Sequence, residues 1–396
     1  MRIMVSATYP VKNSILKWVL SSTDGTLPDK WVNRIESWLA GKKMPTIIQL
    51  QNLSKASHID FGNFFLDNPP KNTLPLINYR TINNSKVINP TQDLIDVINQ
   101  MEFKADWLAE YNRIEGLDKI PFVGQGREEK NKALTTEEKA EKILAYFDLK
   151  LGWNLNTSDA FKLLRGRLEL ARITVIKGSY VGSQTRRGLN IEEFRAFVLV
   201  NDYAPLIFIN THDSQNAKLF SLVHEMVHIW MGDSELFNNN FNKSPEYLKP
   251  TSEQEVNKIV EQILFPRTIL LKLWKDMPGQ DSEAKQVYFI ARKFHASPLA
   301  TAIAARNYKL IKQETINLVK KETAHNIELK KKRQKEEPGG PSYYENFLSN
   351  LDHNFARAVI NSTKDGTTSY TDAFDLLGVS GNKGFNEVKD RLEGNK

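Results

Sequence analysis

The stretch LFSLVHEMVHIWM, residues 219–231, decides how the rest of the chain is read. On an α-helix, positions i and i+4 share one face, with Cβ atoms about 6 Å apart. His224 and His228 stand at that spacing and can offer two imidazole nitrogens to a single metal ion, each at about 2.1 Å. Glu225 follows His224 directly, about 100° further round the helix. It is badly placed to share the metal but well placed to reach a water bound there, the position of a general base. Leu219, Phe220, Leu222, Val223, Met226, Val227, Ile229 and Trp230 make the helix apolar on nearly every other face. Two histidines and a glutamate inside such a helix are costly without partners. The chain has only seven histidines in 396 residues, so a chance pairing of this kind is rare.

A catalytic zinc takes three protein ligands and keeps one position open. Two carboxylates compete for the third place. Glu253, 25 residues beyond His228 (228 to 253), opens the run Glu-Gln-Glu-Val-Asn, and Glu255 lies two positions further on. A helix over about 252–264, ended by Pro266, would bring such a carboxylate back to the metal. Asn257, at i+4 from Glu253, is placed to hold a histidine's other ring nitrogen. Upstream, ITVIKGS, FRAFVLVND and PLIFINT are β-branched and aromatic runs bounded by Gly, Asn and Asp. They read as about three strands. The expected fold is α+β and mostly helical, with a small mixed or antiparallel sheet packed on the His-Glu-x-x-His helix. Helical regions flank it on both sides.

Further out, residues 14–66 read as short helices. Gly41 stops the second of them, and Thr46 opens IIQLQNLSKAS. Residues 89–117 carry Leu94, Val97, Ile98, Met101, Trp107 and Leu108 on one stripe. Thr136, with Glu138 behind it, opens a helix through Phe147, and Asp159 caps another through Leu170. EEPGGPS (336–342) is a linker or turn. The last segment reads as two or three small helices, one stopped by Gly378.

Composition narrows the function classes. An apolar fraction of 40% with 26% charged residues belongs to a folded chain, and 396 residues suggest more than one domain. The absence of cysteine excludes disulfides, thiolate catalysis and Cys-based zinc sites. No stretch is apolar over the roughly 20 residues of a membrane helix, and MRIMVSATYP lacks a secretory pattern. The expectation is a cytoplasmic protein without membrane attachment. The net charge of +7 permits nucleic-acid contact. Much of it, however, sits in one run of Lys320, Lys321, Lys330, Lys331, Lys332, Arg333 and Lys335, the pattern of a solvated helix face.

FRAFVLVNDYAPLIFINTHDSQNAKLFSLVHEMVHIWMGDS (194–234) and EQEVNKIVEQILFP (253–266) together resemble the ImmA/IrrE family of metallopeptidases. That family joins a helix of the form F-x-L-x-H-E-x-x-H to a second of the form E-x-x-A-N-x-x-x-x-x-L-x-P. Val256, Val260 and Glu261 depart from its small residues, which affects helix packing and leaves the ligands. The resemblance implies a reduced gluzincin core with Zn2+ on His224, His228 and Glu253, and Glu225 as catalytic base. It also implies a protein substrate of the class of DNA-binding repressors or antitoxin-type regulators. ESWLAGKKMPTIIQLQNLSKASHIDFGNFFLDNPPKNTLPLINYRT resembles the N-terminal region of longer members, related to helix-turn-helix regulators. The implied organisation is a helix-turn-helix-like region (1–80), a helical connector (81–150), a zinc metallopeptidase core (151–270), a helical region (271–335) and a small C-terminal helical region (343–396). A different reading keeps the zinc site as a sensor or scaffold of little turnover within a DNA- or partner-binding regulator, of toxin–antitoxin or mobile-element type.

Other residues carry weaker signals. His212 could stabilise an oxyanion at the cleft edge, or merely decorate a loop. The strand PLIFIN offers an edge for β-augmentation by an extended peptide. Arg186 and Arg187, after VGSQT, either bind a substrate carboxylate or phosphate or line a solvated turn. Gln49, Gln51, Asn52 and Lys55, preceded by Lys42 and Lys43, suit DNA base edges, although helices of this size more often make protein contacts. His58, His295, His325 and His353 lack metal-like spacing and are expected to be structural or exposed.

Overall fold

The computed structural model describes residues 8–23, 27–70, 78–79, 90–232, 250–277, 282–336 and 343–394. Three short helices open the chain: α1 (Asn13–Thr23), α2 (Asp29–Leu39) and α3 (Ile47–Ser57). Each is too short to persist alone. They hold because Ile15, Leu16, Val19, Ile35, Trp38, Leu50, Leu53 and Phe64 share one buried cluster. Gly41, at φ 67°, ends the second helix region, and Thr46 and Gln49 close a capping box on α3. A pair of residues, β1 (Asn78–Tyr79), then adds a short strand to the sheet described below.

The long helix α4 (Gln92–Ile114) starts at Thr91, whose side chain accepts from Leu94 N. Its stripe of Leu94, Val97, Ile98, Met101 and Ala105 lies against the sheet, while Leu108 and Ala109 belong to a different cluster at the C-terminal end of the chain. One helix thereby ties two parts of the molecule together. Next come α5 (Glu129–Lys132), α6 (Thr136–Tyr146) and α7 (Ala160–Leu170). Thr136 opens α6 as the sequence indicates, and Thr135 before it supplies the cap, again in a capping box with Glu138. Asp159 caps α7, accepting from Lys162 N at 2.9 Å.

The strands follow: β2 (Thr174–Gly178), β3 (Tyr180–Val181), β4 (Gln184–Gly188), β5 (Ala196–Leu199) and β6 (Leu206–Asn210). The main sheet runs β1-β5-β6-β2. β6 is parallel to β2, with Val175 opposite Ile207, and antiparallel to β5, with Phe197 opposite Phe208. The sheet is therefore mixed. Alternation sends Val175, Val198, Ile207 and Ile209 to the main core and Ile176, Phe197, Leu206 and Phe208 to the α4 side. Burial on both faces explains why LIFI has no polar alternation. β3 and β4 form a separate hairpin turned at Gly182, φ 55°, where the sequence suggested only a turn.

The remaining helices are α8 (Gln215–Met231), α9 (Pro250–Leu264), α10 (Arg267–Lys275), α11 (Glu283–Lys293), α12 (Pro298–Asn307), α13 (Gln313–Glu336), α14 (Tyr343–Asn350), α15 (His353–Lys364), α16 (Tyr370–Leu377) and α17 (Gly381–Leu392). The main core takes in α6, α7, α8, α9 and one face of the sheet, and reaches Ala304 in α12. Residues 337–342 of the expected EEPGGPS turn lie outside the described residues. The C-terminal segment holds four helices rather than two or three. Asp352 accepts from Phe355 N at 2.9 Å and starts α15 immediately after α14. Gly378, at φ 75°, ends α16 as expected.

Candidate metal centre

Helix α8 begins at Ser214, whose hydroxyl accepts from Ala217 N, and ends at Gly232, a left-handed cap whose N–H reaches the carbonyls of His228 and Ile229. Glycine is required there on two counts: φ is 68°, and a Cβ would stand 2.7 Å from Gly124 Cα. Gly124 N donates to Ile229 O, and Trp230 Nε1 donates to Gln125 Oε1. The loop before α5 thus clamps the end of the helix. Every residue from Ser221 to Trp230 is buried, with His224 3%, Glu225 1% and His228 2% exposed.

The two imidazoles meet at 2.9 Å between their Nε2 atoms. Glu253, in the first turn of α9, completes a triangle, with 3.2 Å from Oε1 to His228 Nε2 and 3.6 Å from Oε2 to His224 Nε2. Two ring nitrogens this close are held together by a shared proton or a cation. Donors on tetrahedral zinc, with bonds of about 2.0–2.1 Å, stand about 3.4 Å apart. The triangle brackets that spacing and is made of two neutral bases and one anion, so the three residues fit a divalent metal. They form a group that could hold a metal ion. The Glu253 side chain is 53% exposed, which leaves the site a solvent-facing side opposite the buried helix. Phe220 lies 24° from parallel to the His224 ring, with centroids 6.3 Å apart.

Glu255, the other carboxylate considered for the third place, turns away. It pairs with Lys139 of α6 at 2.5 Å, 116 residues distant in sequence, while the buried stripe of Val256, Ile259, Val260 and Ile263 sets the roll of α9 that leaves Glu253 facing the histidines. No local pattern around Lys139 announces this role. Val256 and Val260, the departures from small residues, are fully buried in the α9 packing. Asn257 does not reach a histidine: its Nδ2 donates to the Glu253 carbonyl one turn back, at 2.8 Å. It stiffens the turn that carries the ligand.

The weaker candidates settle elsewhere. Arg187 is 6% exposed and bonds to both Asp93 and Asp96 of α4, so it is neither a solvated turn residue nor open to a substrate anion. Arg186 is exposed beside it. His212 Nδ1 lies 2.8 Å from Leu189 O, and its ring stands edge-on to Tyr180. Nine helical residues separate the start of α8 from His224, a rise of about 13 Å, so His212 serves the turn into the helix. The strand PLIFIN, as β6, is paired on both sides and has no open edge, and β1 pairs with the outer side of β5. Gln49, among the residues suited to base edges, accepts from Thr46 N in the α3 capping box. Of the other histidines, His58 and His295 take left-handed conformations at helix ends, and His353 opens α15.

Residues 185–306 match the family model described as the IrrE N-terminal-like domain (peptidase M78), and residues 351–391 match a domain of unknown function (DUF8813). The first match contains His224, Glu225, His228 and Glu253; neither match reaches the N-terminal helices. No curated protein and no solved structure matches the chain. Among the described residues, no helix is long and apolar enough to cross a membrane.

Proposed function

We propose, from the premise that residues 185–306 are an ImmA/IrrE-family peptidase domain, that the chain is a zinc-dependent endopeptidase cutting a specific protein partner, a transcriptional repressor or antitoxin-type regulator. The observation that carries this reading is the convergence of His224, His228 and Glu253 beside a buried Glu225. Zinc held by those three residues would supply Lewis acidity and lower the pKa of its water to about 7. Glu225, one residue round the helix from His224, accepts the proton of the attacking water as its oxygen bonds to the peptide carbonyl carbon. The same carboxylate returns that proton to the amine as the C–N bond breaks. Packing around α8 keeps bulk water from competing for Glu225, and the exposed side at Glu253 admits the polypeptide.

Metal analysis by mass spectrometry on wild type, His224→Ala, Glu253→Ala and Glu255→Ala tests the ligand set. About one zinc per chain, lost in the first two variants and kept in the third, is the expected result. Glu225→Gln should keep the metal while new protein N-termini, compared between cells expressing wild type and variant, disappear. Biological activity surviving in Glu225→Gln would favour the regulatory scaffold, and zinc that fails to bind wild type on titration would remove the enzyme reading.

A further inference from the structure

Where the C-terminal helices meet the core there is a cleft of about 260 Å³, separate from the metal centre. One wall is Leu108 and Tyr111 of α4, with Leu117 just beyond it. The second is Arg172 and Ile173, leading into β2, and the third is Phe355 and Ala358 of α15. These walls are mainly apolar. Tyr111 is held flat against Trp107 at 5.4 Å and 13°, so that side is a rigid aromatic face.

Four charged side chains line the cleft: Glu169, Asp352, Arg172 and Arg357. Both carboxylates are already engaged. Glu169 forms an ion pair with Arg165, 2.8 Å from Nε to Oε1, and Asp352 accepts from Val175 N at 3.0 Å and Phe355 N at 2.9 Å. Neither arginine has a carboxylate partner among the described residues. Arg172, held at φ 62°, donates only to the neutral carbonyl of Asp118, and Arg357 sits exposed on α15. With Arg165, which pairs with Glu169 and also acts on Asp352, three arginines stand around two carboxylates, so the balance of charge at this apolar cleft is positive. Its volume is below the roughly 300–1,000 Å³ of sites for drug-sized ligands.

We infer that this cleft binds a small organic anion, a single carboxylate or sulfonate carried on an apolar body. The body lies between Tyr111, Ile173 and Phe355, and the anion meets Arg172 and Arg357 at the rim. Such a ligand touches α4, the start of β2 and α15 at once. It would fasten the C-terminal helices to the sheet at the place where Asp352 already binds the outward N–H of Val175.

Calorimetric titration of the full chain with benzoate and octanoate tests this, with benzyl alcohol, 1-octanol and inorganic phosphate as comparisons. One saturable site is expected for at least one of the two acids, none for the alcohols or phosphate. Arg357→Gln, on an exposed position, should weaken that binding about 10- to 100-fold, the worth of a charge-assisted bond, with an unchanged circular dichroism spectrum and unchanged zinc content. Arg172→Gln should weaken it similarly, and His224→Ala should not affect it. The inference is overturned if neither acid binds up to about 1 mM, if the alcohols bind as well as the acids, or if both arginine variants bind like wild type.

Discussion

Replacing Lys104 by methionine should change how stability depends on pH, by an amount the structure sets. Lys104 sits on α4 beneath the C-terminal helices, 8% exposed, with its Nζ donating to Leu376 O and lying 5.5 Å from the centre of the Phe355 ring. Burial pushes its pKa from 10.5 down to about 8, and the carboxylate of Asp375 offsets only part of that. The native state therefore binds fewer protons than the unfolded state between about pH 8 and 10.5. Stability from this group is complete above the unfolded pKa and is lost as pH falls through about 8. With 1.36 kcal/mol per unit, the full span is about 3.4 kcal/mol, of which about 2.5 kcal/mol falls between pH 7 and 10. Methionine fills similar space and does not titrate. Urea unfolding at pH 7, 8, 9 and 10, followed by tryptophan fluorescence, should show wild type gaining about 2.5 kcal/mol on the variant across the series. Trp107, edge-on to Phe355 at 5.9 Å, reports on this contact. Other titrating groups are common to both proteins and cancel in the difference. Two stability curves that stay parallel within about 0.5 kcal/mol would refute the assignment of a buried, charged lysine at this joint.

Gly232→Ala should lower stability by at least about 1–2 kcal/mol, the cost of a left-handed alanine, and more because its Cβ meets Gly124 Cα; thermal melting checks this, and an unchanged midpoint would contradict the clamp on α8. Arg187→Met, which strands Asp93 and Asp96, should cost about 3–5 kcal/mol. Neutralising both aspartates in the same chain should restore much of that loss in denaturant titrations. Thr135→Ala should cost about 1 kcal/mol through loss of the α6 cap without changing metal content, a comparison that separates general stability from the site.

A strong local signal exposed most of the centre in the sequence. The four-residue spacing of His224 and His228 on one helix face is a property of the α-helix itself, and Glu225 follows from the same geometry. The caps at Thr46, Asp159 and Gly378 were legible for the same reason: a cap is a bond within four residues. Strand runs could be found because β-branched and aromatic residues cluster, but not their order. Nothing in PLIFIN shows that it lies between an antiparallel and a parallel neighbour, since pairing is decided by packing against α4 on one face and α8 on the other.

What the tertiary structure alone decided rests on contacts distant in sequence. Glu253 and Glu255 are alike as residues, and the local pattern left both open. The buried apolar stripe of α9 sets its roll, Glu255 is taken by Lys139 across 116 residues, and Glu253 meets the histidines. Arg187 read as either an anion-binding or a turn residue, because a buried arginine is recognisable only once its two aspartates are in place. The cleft at Arg172 and Arg357 has walls from three separated segments, and its balance of charge is visible only once Arg165 is seen beside Glu169 and Asp352. Sequence by itself determined the helix that bears the candidate site, because helical periodicity is local. Which carboxylate stands beside the histidines, which charges are neutralised and where the cleft opens were decided by the fold, because each depends on side chains that only packing brings together.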